Sequence, residues 1–107
     1  MDIKKLSEEE FNATFIPPMS FMDVEDETSE VDLKLFAESV IVCENLQITS
    51  AQLEIDSIYH NSTKTYEHVL INYGVENRFL VVVVDLKNKI ILGYHMLDLN
   101  QKFGLDN

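Results

Sequence analysis

Phe79-Leu80-Val81-Val82-Val83-Val84, then the break Lys87-Asn88-Lys89, then Ile90-Ile91-Leu92-Gly93-Tyr94-His95-Met96-Leu97 is the stretch that decides the fold. The first run is apolar and mostly β-branched at both alternating sets of positions, the pattern of a strand covered on both faces. A parallel crossover takes a dozen residues or more, so runs this close in sequence pair antiparallel. Upstream, residues 66 to 73 centre on Val69-Leu70-Ile71 and are joined to the first run through Gly74-Val75-Glu76-Asn77. Further upstream, Leu53, Ile55 and Tyr59 alternate with Gln52, Glu54 and Asp56, the period-two signature of a half-exposed edge strand. His60-Asn61-Ser62-Thr63-Lys64 supplies turn chemistry between these two segments. Residues 51–97 therefore predict a four-stranded antiparallel β-meander in sequential order. Gly93, inside a strand, predicts a bulge or a close approach.

The N-terminal part reads differently. Ser7 followed by Glu8, Glu9 and Glu10 has the form of a capping box and predicts a helix of about two turns. Pro17-Pro18 ends it, because proline lacks the amide and restricts the residue before it. Pro18 to Met22 then forms an apolar hook. Val31, Leu33, Leu35, Phe36 and Val40 fit helical and strand spacing about equally, and a helix over residues 31–40 is preferred, with Glu30 and Asp32 near its positive end. Residues 41–50 stay ambiguous. The expected fold is α+β: two layers, the meander plus one or two short N-terminal helices on one face. Within a single domain, 1–107, residues 1–22 form the short helix and hook, 23–32 the acidic segment and 51–97 the meander. So little helical material leaves the second sheet face to the hook or to a second copy, which predicts a homodimer.

Composition narrows the function classes. The chain of 107 residues is 46% apolar and 25% charged, which fits a folded domain rather than a disordered one. Its longest apolar run is far shorter than the roughly 20 residues of a membrane helix. The N-terminus turns acidic where a secretory signal would place its apolar stretch, so a cytoplasmic location is expected. A lone Cys43 closes no intrachain disulfide, makes no cysteine zinc site, and reads as a small buried hydrophobe.

The formal charge is −11, from 8 basic and 19 acidic residues, which repels nucleic acid. Residues 1–38 hold 11 acids against 3 lysines, so the field concentrates at the N-terminal end. Within it, Asp23, Glu25, Asp26, Glu27, Glu30 and Asp32 put six carboxylates into ten residues. The run lacks the alternating oxygen ligands and the glycine of a calcium loop. It is either a solvated segment or a docking surface for a basic protein, with Phe21 and Met22 as neighbouring apolar anchors. The docking alternative fits an immunity-type inhibitor of a basic toxin such as a nuclease.

Catalytic motifs are missing. There is no G-x-S-x-G, and the three glycines, Gly74, Gly93 and Gly104, stand singly, so neither a nucleotide fingerprint nor a phosphate loop can be written. No cofactor and no metal site is expected. One constellation stands as the enzyme alternative. Pairing the strands about their turns puts His68 opposite Val83 and His95 opposite Val81, on one face and roughly 10 Å apart, with Asp85 and Tyr66 on that face too. Such a group could transfer a proton or bind a metal for a small substrate, in a small dimeric enzyme or ligand-binding domain, whereas two histidines capped by nearby carbonyls or packed at a sheet interface would do nothing chemical.

Overall fold

The computed structural model describes residues 3–15, 19–22, 30–61 and 65–99. They form helix α1 (Glu8–Ala13), strand β1 (Met19–Met22), helix α2 (Glu30–Cys43), a 3-10 turn (Ser50–Gln52), and strands β2 (Glu54–Asn61), β3 (Tyr66–Asn72), β4 (Arg78–Asp85) and β5 (Ile90–Asp98). The sheet order is β1-β2-β3-β4-β5, every neighbouring pair antiparallel. The α+β class and the sequential four-stranded meander are as the sequence predicts. The fifth strand is an addition: residues 19–22 of the expected hook pair with Ile58 to Asn61 at the edge of the sheet.

Both faces of β4 are covered within the chain. Leu80, Val82 and Val84 face a core with Ile58, Val69, Ile71, Tyr73 and Tyr94, onto which α2 places Leu33, Phe36, Ala37 and Val40. Those four helical positions recur at i, i+3, i+4 and i+7, the spacing of one buried stripe. On the opposite face, Val81 and Val83 pack with Leu6 and Phe11. The two helices thus lie on opposite faces instead of sharing one. A six-residue helix covers its side because Phe11 fills the centre of that face. A second copy of the chain is not needed to cover it, and the motive for a homodimer falls away.

Local chemistry explains the ends of the helices. Ser7 accepts from the Glu10 amide while the Glu10 carboxylate accepts from the Ser7 amide, so the expected capping box closes. These bonds, and Lys4 at 2.9 Å, hold the Glu10 carboxyl down at about 2. α2 runs past residue 40 and ends where Asn45 takes a left-handed φ of 52°. The Leu46 amide there donates to Ile41 O and the Asn45 amide to Val42 O, the paired bonds of a Schellman ending. Two side chains of the last turn point away from the sheet: Val42 is 79% exposed and Cys43 is exposed, not buried as the sequence suggests.

An N-terminal arm docks beside β5. The Tyr94 amide donates to Lys4 O at 3.0 Å and the Leu6 amide to Tyr94 O at 2.8 Å, a parallel bridge centred on Lys5. Gly93 makes this approach possible, since a Cβ there would stand 2.5 Å from Lys4 O and 3.1 Å from the Leu6 side chain. It also sits at a bulge, because Val83 pairs with Gly93 but Val84 with Ile91. Both readings of this glycine hold. Replacing Gly93 by Ala should push the arm away and cost about 1–3 kcal/mol, the usual range for overpacking. Denaturant melts read the loss, and the Leu6 and Tyr94 amides should exchange faster than in the parent; unchanged stability would show that the arm contributes nothing.

Candidate functional site

The register places the histidines as the sequence predicts: His68 pairs with Val83 and His95 with Val81, so both lie on the α1 face of the sheet. Tyr66 belongs to the same face and packs against its apolar cluster. What the sequence leaves open is the material between the imidazoles. The Phe11 ring stacks on His95, with centroids 4.2 Å apart and planes 10° apart, and meets His68 edge-on at 5.8 Å. Phe15 lies over His68 at 4.4 Å. The space a substrate would need between the two histidines therefore holds an aromatic ring from α1.

His68 is fully buried. Its Nε2 lies 2.8 Å from Thr14 Oγ1, and Thr14 Oγ1 donates its single proton to Phe11 O at 2.7 Å. The hydroxyl can only accept from the ring, so His68 carries its proton on Nε2 and leaves Nδ1 bare. Among the described residues Nδ1 has no hydrogen-bond partner. Burial pushes the His68 pKa down to about 4, because a second ring proton would create a charge in an apolar enclosure. At neutral pH this imidazole is uncharged and anchors α1. His95 is half-buried, with Nδ1 3.4 Å from Leu6 O.

Asp85 does not join them. Its carboxylate accepts from the Asn88 side chain at 2.8 Å and from the Asn88 and Lys87 amides, which pins the turn between β4 and β5 and lowers its pKa. The expected constellation of His68, His95, Asp85 and Tyr66 is thus one sheet face, with its acid occupied in a turn. Among the described residues no group of three or more His, Cys, Asp or Glu could hold a metal ion. His60, read as a turn residue, is instead a half-buried part of β2 that pairs with Glu67.

A second polar cluster was not legible in the sequence. The Tyr94 hydroxyl donates to Glu44 Oε2 at 2.5 Å, and Lys5 Nζ lies 3.0 Å from the same oxygen. Tyr94 is drawn up by burial and by Glu44, and Glu44 is drawn down, mainly by the hydroxyl it accepts from. The triad ties the end of α2 to β5 and to the arm. Its members are fifty and thirty-nine residues apart, so no local pattern announces them.

Of the residues expected to meet a partner, Asp23, Glu25, Asp26 and Glu27 lie outside the described residues. The backbones of Phe21 and Met22 end β1, and those of Glu30 and Asp32 lie in the first turn of α2. The acid-rich run therefore connects an edge strand to a helix start.

Two outcomes are expected at the histidine face. Long-range proton–nitrogen spectra should show His68 as the Nε2–H tautomer from pH 8 to pH 6, and the Nδ1–H form would contradict the Thr14 bond. Phe11→Ala should cost about 3–5 kcal/mol in denaturant melts, the range for removing a buried aromatic ring. Comparison of the chain with protein-family models, with curated proteins and with solved structures gives no match, so this geometry is what a functional reading has to rest on.

Proposed function

We propose that this chain is a small acidic protein-binding domain of the cytoplasm that engages a basic protein, in the manner of an immunity-type inhibitor facing a toxin such as a nuclease. A protein that grips phosphates needs a positive surface, and carboxylates offered to that surface raise the association rate and select the partner. The observation that carries the reading is the grouping of six carboxylates within residues 23–32, in a chain of net charge −11: Asp23, Glu25, Asp26 and Glu27 fall between β1 and α2 in sequence, and Glu30 and Asp32 in the first turn of α2. Phe21 and Met22, at the end of the edge strand, directly precede the run and offer it apolar anchors. The enzyme alternative at His68 and His95 is not carried forward, because Phe11 packs against both rings.

Charge reversal tests the reading. A Glu25→Lys, Asp26→Lys, Glu27→Lys triple variant should keep the parent's circular dichroism and melting behaviour. It should associate with a partner recovered from the source cell at least about tenfold more slowly, with a weaker salt dependence than the parent's. Binding as fast as the parent's would reduce the acidic run to solvation and remove the inhibitor reading.

A further inference from the structure

We propose that residues 3–15 form an acid-releasable lid, which opens from the sheet when the buried His68 imidazole takes up a second proton. The geometry sets up the response. His68 is fully buried, its Nε2–H is already committed to Thr14, and its Nδ1 has no acceptor among the described residues. A proton added to Nδ1 is therefore left buried and unpaired, which costs far more than the same charge in water. The imidazole can hydrate its new proton only by losing one of its covers. On either side it is flanked by β2 and β4, both held by antiparallel ladders. Above it lie Phe11, Thr14 and Phe15, carried by a six-residue helix and the short turn that follows it. Of the three covers it has the shortest element, six residues against eight in β2 and in β4, and it rests on Leu6, Phe11 and Thr14 as its buried side chains, so it is the least costly to open.

The other titratable and charged groups around His68 do not offer Nδ1 an acceptor. Tyr59 lies opposite it on β2, Tyr66 two residues before it on β3, and His95 across β4 on β5. The Asp85 carboxylate is engaged by the turn after β4. On the lid itself, Glu8, Glu9 and Glu10 are exposed, and Lys4 and Lys5 pair with Glu10 and Glu44. β1 carries no ionisable residue. Opening would uncover Val81 and Val83, fully buried beneath Leu6 and Phe11 at neutral pH, while α2 keeps the opposite face closed.

The sign follows from linkage. Burial holds His68 at about 4 in the closed state, and exposure returns it to the ordinary value of 6.5. The closed state is fully favoured above pH 6.5 and loses that advantage as the pH falls toward 4, so the lid's opening constant should be about 30-fold larger at pH 5 than at pH 7.5. Native-state hydrogen exchange on the full chain, corrected for intrinsic rates, reads this directly. The Leu6 and Phe11 amides, bonded to Tyr94 O and Ser7 O, should lose about 30-fold in protection across that range. At every pH they should stay at least tenfold less protected than the Val82 and Phe36 amides. Equal protection of lid and core would mean that the layer opens only by global unfolding, and a flat pH profile would mean that His68 does not drive it; either overturns the proposal. His68→Gln, which keeps a donor for Thr14, should abolish the pH dependence, and persistence of the drop in that variant also overturns it. Should His68→Gln fail to fold, His60→Gln and His95→Gln decide: the drop surviving in both supports the lid, and its loss in either overturns it.

Discussion

A strand that is apolar on both faces cannot be left half covered, and the rest of this structure follows from that constraint on β4. Its five positions Leu80 to Val84 are buried, with Leu80, Val82 and Val84 on one side and Val81 and Val83 on the other. β3 and β5 satisfy its backbone, which leaves the side chains to be covered by what lies outside the meander. The chain answers with two unequal layers. α2 lays a continuous stripe over the first face. The second receives a helix of six residues, an arm of three and a single central phenylalanine.

That inequality shapes the polar chemistry inside. A thin layer cannot supply many buried contacts, and here polar side chains help to fix it: His68 reaches up to Thr14, and Lys5 meets Glu44 beside the Tyr94 hydroxyl. A neutral imidazole serves as a donor in such a place because it carries no charge to desolvate at neutral pH. The same choice makes the layer sensitive to protons, since a histidine is the side chain whose ordinary pKa lies closest to physiological pH. The tyrosine and glutamate on the other side of β5 behave differently. Their hydrogen bond draws the Glu44 carboxyl down and the Tyr94 hydroxyl up, so this anchor adds nothing to the layer's proton sensitivity.

Charge and packing occupy different parts of the molecule. Among the described residues Glu67, on β3, is the one acidic side chain buried in the core. The acids gather instead before and at the start of α2, where a helix N-terminus favours negative charge. That acidic run lies partly outside the described residues. Its concentration is what makes recognition of a basic partner the reading with a physical motive.

The sequence by itself determined the meander and its order, because three short turns and alternating apolar residues leave one antiparallel arrangement that buries both sets of β4 side chains. It placed His68 against Val83 and His95 against Val81, and it announced the Ser7 capping box, since each of these depends on residues a few positions apart or on the two-residue period of a strand. Residues 19–22 were legible as apolar but not as a strand, because an edge pairing with residues some forty positions away leaves no local pattern. The division of the helices between two faces was equally hidden. Nothing in residues 7–15 says which face Phe11 covers; that depends on the arm docking at Tyr94, which the missing side chain of Gly93 permits. Only the tertiary structure, by putting the Phe11 ring against both imidazoles, decided that the two histidines serve as the seat of a helix, because a face shared by two strands becomes a site only if the third layer leaves room for a ligand.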